Sequence, residues 1–595
     1  MTTAGRSLGS GVGSGGTGST DLLDALEALR GCLGEVRLPL DAPGAAAARA
    51  GRAELFAQLD DYVLPRLRRI EAPLLAVVGG STGAGKSTLV NSLVGAEVSP
   101  AGVLRPTTRA PVLVCAQADV RWFADRRVLP GLPRVTGDSA DPGSLRLVPS
   151  PALAPGLAVL DAPDIDSVVT ANRELGAQLL AAADLWLFVT SAARYADAVP
   201  WELLRTAAER ATALAVVLDR VPAEGEAEVR EHLAAMLARE GLAQAPLFVV
   251  RESPLTEGRL PEPVVAPLRE WLTRLAEDVE ERQAVVRATL EGAVASVLPR
   301  GEEVAAALDA QVATAEVLRR EAIAAYDIAR DEVETAVRDG SLLRGEVLAR
   351  WQDLVGTGEL LRSLEGAVGR FRDRISAAVR GRPAPGRELR AALEDTVETV
   401  VSVAAARAAE RAAAAWEARP AGAALLAPTD GELGRAAADL PDRLRGEVRG
   451  WQSTVLDLVS REGAGRRSAA RVLSLGVNGA GLAAMIAVFA HTGGLTGGEV
   501  VVAGGASALA QKVLEAVFGD EAVRRLAATA RADLLERVER VLGDEADRYL
   551  RLLDRAQVDP DRAGQLREAL SGVAAAGRPG AGRPGAGRPA VRGRR

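Results

Sequence analysis

The residues best suited to chemistry lie together, in the stretch AVVGGSTGAGKSTLVNSL from Ala76 to Leu93. Of the 72 basic residues in the chain, only Lys86 and Lys512 are lysines; the rest are arginine. Gly80, four residues, Gly85, Lys86 and Ser87 fit the spacing of a phosphate-binding loop, G-x-x-x-x-G-K-[ST]. Glycines at those positions let successive backbone N–H groups turn inward on an anion. The helix that starts near Lys86 adds its positive end. A lysine reaches the outer phosphates as a compact point charge, which a planar guanidinium replaces poorly. The sequence therefore predicts a cradle of Gly80, Ser81, Thr82, Gly83, Ala84, Gly85, Lys86, Ser87 and Thr88, with the Ser87 hydroxyl on Mg²⁺.

Such a loop needs a strand before it and a helix after it, and the sequence supplies both. LLAVV (Leu74 to Val78) precedes the loop, and STLVNSLV follows with helical character. Further apolar runs alternate with helical segments: PVLVCA from Pro111, LAVLDAPD from Leu157, LWLFVT from Leu185, LAVVLDR from Leu214 and PLFVV from Pro246. This alternation predicts a mostly parallel sheet with flanking helices. From about residue 268 to 570 the strand-like runs nearly vanish, and a long Ala/Arg/Glu/Leu-rich texture predicts an all-α domain. The expected organisation is a Gly/Ser/Thr-rich disordered segment (1–20), N-terminal helices packing on the helical domain (21–71), and the α/β domain (72–267). The helical domain (268–570) and a Gly/Arg/Pro-rich disordered tail (571–595) follow.

Asp161 ends an apolar strand where a carboxylate would hold Mg²⁺ through water, and VLRPTTR (Val103 to Arg109) offers a threonine, Thr107 or Thr108, to close over the terminal phosphate. Phosphate loop, switch threonine and an Asp-x-x-Gly-like segment, in that order, resemble a regulatory GTPase. The long helical continuation narrows this to the dynamin-like GTPases. The resemblance covers residues 72–260 by motif and the remainder by architecture. It implies GTP hydrolysis with Mg²⁺, with Lys86, Thr107 and Thr108 as catalytic residues and Ser87, Thr108 and Asp161 at the metal. It also implies self-association through the nucleotide domain and the helices.

Two motifs depart from the family pattern. DAPD ends in Asp164 where the family has glycine, and LDRVP stands where Asn-Lys-x-Asp reads guanine. Asp219 takes the Asn place, Arg220 the Lys place and Pro222 the place of the base-accepting Asp. GTP is expected ahead of ATP, by a reduced margin. Arg105 and Arg109 flank the switch as candidate charge stabilisers or solvated loop residues, and VVRES from Val249 is placed to touch the base.

Val472 to Gly498 contains no charged residue, and the apolar texture resumes after Glu499. At about twenty apolar residues this suffices for a membrane helix. Arg461, Arg466, Arg467 and Arg471 on one side, with Arg524 and Arg525 on the other, suit a hairpin over about 472–517 returning to one face. The alternative is an apolar helix pair buried in a bundle.

Bulk composition narrows the partners. Acidic residues outnumber basic ones, 79 to 72, which argues against a nucleic-acid binder. Two cysteines, Cys32 and Cys115, and two histidines, His232 and His491, make neither a disulfide framework nor a zinc cluster. The expected setting is cytoplasmic, peripheral to or hairpin-inserted at the inner face of the cell membrane, with an anionic membrane as partner. The rival reading is a soluble regulatory NTPase, or a nucleotide-dependent scaffold, acting on a protein.

Overall fold

The computed structural model describes residues 16–100, 110–125, 128–129, 131–135, 143–164, 170–197, 201, 204–205, 207–208, 212–339, 385–464, 484–485, 488 and 519–577. The chain divides into two compact units, one of residues 1–37, 44–309 and 560–595, the other of 38–43 and 310–559.

The first unit is built on an eight-stranded sheet. Its strands are β1 (Leu74–Gly80), β2 (Val112–Cys115), β3 (Arg134–Val135), β4 (Leu145–Pro149), β5 (Leu157–Asp161), β6 (Leu185–Ser191), β7 (Ala213–Val221) and β8 (Leu247–Arg251). They lie in the order β3-β4-β2-β5-β1-β6-β7-β8. Every described pairing is parallel except β2 with β5. The mostly parallel sheet read from the sequence is therefore present. β1, β2, β5 and β6 are buried along their whole length, which explains their continuous apolar runs: helices cover both faces, so neither face needs polar residues. β1 is central. Its register sets Val78 opposite Asp161 of β5 and Gly80 opposite Val189 of β6, so the phosphate loop leaves the sheet beside the carboxyl end of β5. In open sheets of this kind the crevice at the carboxyl ends is where ligands bind.

The N-terminal helices belong to this same unit, together with residues 268–309 and the helix Arg562–Ala576. That division differs from the expected one, which grouped them with the helical domain. Specific contacts explain it. Gln58 donates from Nε2 to the Ala293 carbonyl and to Ser296 Oγ, each at 3.2 Å, and Arg300 returns a bond to Gln58 Oε1 at 2.8 Å. Arg562 pairs with Glu35 at 2.6 Å, and the buried Asp184 gathers Tyr62 (3.2 Å), Arg66 (2.9 Å) and the Leu75 N–H (2.8 Å). The last cluster fastens the N-terminal helical segment to the start of β1. Burial raises the Asp184 carboxyl, while Arg66 and these donors pull it back.

The second unit is helical. It includes Pro385–Glu417, Leu440–Ala464, Asp520–Ala556 and the second half of the helix Val279–Arg338. Its core holds Trp416, Trp451 and Tyr549, each at 0% exposure, and each polar tip is satisfied by a main-chain carbonyl. Trp416 donates to Leu318, Trp451 to Ala530, and Tyr549 to Ala409 and Leu433. Most of the apolar stretch 472–517 lies outside the described residues. Of it, Ala484, Met485 and Val488 are buried in this core, and Arg531 donates to the Val488 carbonyl at 2.8 Å. Among the described residues no helix is long and apolar enough to cross a membrane.

Candidate functional site

The loop between β1 and the helix Lys86–Val94 adopts the conformation its glycines permit. Gly80, Gly83 and Gly85 have φ of 151°, 75° and 92°, which side-chain-bearing residues rarely adopt. Gly80 is also a close approach: a Cβ there would stand 2.0 Å from the Val189 carbonyl oxygen of β6. Gly85 touches the opposite side of the cleft, where a Cβ would stand 2.2 Å from Asp219 Oδ2. These two glycines let the loop run tight between β6 and β7.

Lys86 opens the helix and points back into the loop with its side chain 5% exposed. Its Nζ donates to the carbonyls of Gly80 and Ser81, both at 2.9 Å, and to Asp164 Oδ1 at 2.5 Å. Ser81 Oγ, also in the loop, is buried without a hydrogen-bond partner among the described residues, as a hydroxyl waiting on an anion would be. Arg194, just beyond β6, donates to the Thr82 carbonyl at 2.7 Å and pairs with Asp197 at 2.8 Å. Ala84 is buried, Gly83 and Gly85 make the turns, and Thr88 accepts through its carbonyl from Ser92 Oγ at 2.6 Å.

Ser87 Oγ donates to Asp161 Oδ2 at 2.7 Å, and Ser99 Oγ donates to the same oxygen at 2.5 Å. Asp161 is fully buried, which raises its carboxyl; the bonds from Ser99 and Ser87 and the nearby Lys86 charge oppose that rise. Its second oxygen, Oδ1, has no hydrogen-bond partner among the described residues. Ser99 is held in place by Asn91, which accepts from the Val98 and Ser99 N–H groups (2.8 and 2.9 Å) and donates to the Ser99 carbonyl at 2.7 Å. Magnesium, which the resemblance to dynamin-like GTPases implies, fits this donor set. It favours oxygen ligands, and typically takes one or two from protein and the rest from phosphate and water. A hydroxyl beside a carboxylate with an uncommitted oxygen meets that need.

At the other end of the cleft, Asp219 and Arg220 sit where β7 breaks register with β8 between Leu218 and Val221. Such an irregularity re-aims side chains. Arg220 has φ 52°, a strained conformation for a non-glycine residue, and its side chain is 52% exposed. Asp219 is buried, and burial pushes its carboxyl up to about 6 against the pull of the Arg220 N–H and guanidinium; Glu252 raises it further. The Arg220 Nε lies 3.8 Å from Asp219 Oδ2. Glu252, in the VVRES segment, is fixed by its N–H on the Val221 carbonyl at 3.0 Å.

The structure thus brings together the loop from Gly80 to Ser87, Asp161 and Asp219. Thr107, Thr108, Arg105 and Arg109 lie outside the described residues. Sequence reasoning missed Asn91, Ser99 and Arg194. Their contacts span 8, 62 and 112 positions, and no motif spacing announces them.

The model of the Dynamin family matches residues 75–129, the segment holding β1, the phosphate loop and Ser99. The dynamin-like resemblance read from the sequence is borne out by that match. No curated protein matches the chain in sequence. Among solved structures, two chains of an oligomerised bacterial dynamin pair, described as sensing and tethering membranes, align over 95% of this chain and 96% of their own. Their identities are 9% and 10%, and the TM-scores 0.41 and 0.40.

Proposed function

From a chain whose residues 75–129 match the dynamin family, we infer a protein that binds GTP with Mg²⁺, hydrolyses it, and couples nucleotide state to movement of its helices at a membrane. The observation that carries the nucleotide half is the convergence of Lys86, Ser87 and Asp161 at the carboxyl ends of β1 and β5. Lys86 and the loop N–H groups would hold the phosphates, and Ser87, with Asp161 behind it, the metal. Thr107 and Thr108 are proposed as the residues that orient the attacking water, Thr108 also reaching the metal. Asp219 and Arg220 would meet the base. Magnesium would neutralise the charge that builds on the phosphates, and the chain's own residues would position the phosphates and the attacking water.

The membrane half rests on the uncharged stretch Val472 to Gly498 and its arginine flanks. An anionic membrane, and self-association through the nucleotide domain and helices, are the partners proposed with it, at the cytoplasmic face. A second reading has its own support. Ala484, Met485 and Val488 lie in the helical core, which favours a soluble regulatory NTPase or nucleotide-dependent scaffold acting on a protein partner. One experiment addresses both: turnover of GTP and of ATP by the purified full chain, with and without anionic vesicles, beside flotation. GTP turnover that rises with vesicles supports the first reading. Turnover with a chain that never floats supports the second. A chain that turns over neither nucleotide, under both conditions, defeats the enzymatic claim.

A further inference from the structure

The ammonium of Lys86 has three N–H donors, and all three are committed, to Gly80 O, Ser81 O and Asp164 Oδ1. The first two acceptors are carbonyls of the loop's own backbone. The third is a side chain that no loop geometry requires, at a position just beyond β5 that follows the metal-side Asp161 by three residues. A terminal phosphate reaching this lysine must supply a negatively charged oxygen where a negatively charged oxygen already sits.

On the reading of this loop as a nucleotide site, we propose that Asp164 occupies the station of the terminal phosphate and makes the site favour nucleoside diphosphates over triphosphates. A diphosphate ends short of that station and leaves the Lys86–Asp164 pair in place. A triphosphate must expel the carboxylate, because the single Lys86 donor not held by the loop carbonyls is the one already on Asp164. The expelled group then stands near the phosphate that replaced it, and like charges at such range disfavour one another. The pair is well suited to compete: the lysine side chain is 5% exposed and the Asp164 side chain 17%, so solvent screens their attraction little. A binding-competent state that is open only part of the time lowers apparent affinity by that fraction, and the penalty falls on the triphosphate alone. Asp164 is thereby a specificity-determining residue whose release couples the end of β5 to triphosphate binding.

The test is equilibrium titration of the full chain and its D164N and D164A variants with fluorescent GDP and with a fluorescent β,γ-imido GTP analogue, at fixed Mg²⁺. Circular dichroism melts confirm that each variant is folded. D164N keeps the side-chain volume and D164A removes it; both remove the charge. The proposal expects the wild type to hold the diphosphate more tightly than the analogue, and both variants to narrow that ratio by about tenfold or more, through tighter analogue binding. It is overturned if both variants leave the ratio within about twofold of wild type, or if the two ligands tighten equally. Binding of neither ligand by folded wild-type protein would be a different failure, that of the nucleotide reading itself.

Discussion

The two ends of one cleft obey different rules. At the phosphate end the loop, the metal-side serine and Asp161 hold the expected residue types, with Asp164 the one departure, and the side chains converge: Lys86 on the loop carbonyls, Ser87 and Ser99 on Asp161. At the base end the motif is rewritten, with Asp219, Arg220 and Pro222 in place of the pattern that reads guanine. The second kind of change leaves the strand intact: β7 pairs with β6 through Asp219 and sets that residue against Gly85. Binding phosphate depends on backbone conformation, which only glycine permits at Gly80 and Gly85. Reading a base depends on which donors and acceptors a few side chains carry, and those can drift without cost to the sheet.

The largest expected effect lies at the phosphate end. Lys86→Ala removes the buried cation, and a charge-assisted bond of this kind contributes about 3 kcal/mol. Affinity for GTP should fall about 100-fold or more in a fluorescent-nucleotide titration. An unchanged affinity would end the claim that this end binds phosphate.

A smaller change links the two ends. Gly85→Ala imposes a side chain at φ 92° and drives a methyl toward Asp219 Oδ2. The backbone term alone is about 1–2 kcal/mol. Nucleotide affinity should fall roughly 10- to 30-fold, and Asp219→Ala in the same chain should restore part of the loss. If the double variant recovers nothing, the contact between the two ends is incidental and the strain is purely backbone.

The same carboxyl gives a pH signature. Burial holds Asp219 at about 6, above the ordinary aspartate value of about 3.9, so the folded state favours the protonated form. Its contribution to stability is therefore fully present below about pH 4 and is lost as pH rises through about 6. Asp219→Asn has no proton to lose. Relative to wild type it should gain stability between about pH 4.5 and 7, by on the order of 1–2 kcal/mol. Thermal melts across that range check it, and a difference between the two chains that stays flat with pH would show that Asp219 ionises freely.

How much of this was legible in the sequence also differs between regions. β1, β2, β5, β6, β7 and β8 correspond to apolar runs; in the first five this is because strands covered on both faces carry little else, whereas β8, at the sheet edge, is mostly half-buried. β3 and β4 are not announced. Arg134–Val135 is two residues long, and Leu145–Pro149 carries a half-buried Arg146 near the sheet edge. The loop was legible because its chemistry is local, packed into eight consecutive positions. The Lys86–Asp164 pair, separated by 78 residues, was not, although the sequence did mark Asp164 as a departure. Nor was the division at Asp309, since Val279–Arg338 is one helix whose composition does not change there.

The finest contrast is base preference. A carboxylate at position 219 presents only acceptors once ionised, and guanine's N7 and O6 are acceptors too, so the two repel where the family's amide would donate. Arg220, half exposed beside it, can cover the face of either purine without distinguishing them. Wild type should therefore prefer GTP over ATP only modestly. Asp219→Asn supplies an N–H₂ donor at unchanged volume and should raise GTP affinity about fivefold, close to 1 kcal/mol, while leaving ATP within about twofold. Arg220→Ala should weaken both nucleotides by similar factors, because stacking carries no base code. Competition titrations with GTP and ATP on the three chains decide this. If Asn at 219 leaves the ratio unmoved while Arg220→Ala shifts it, the reading of the base passes to Arg220, and the apparent correspondence of Asp219 with the family's Asn is positional only.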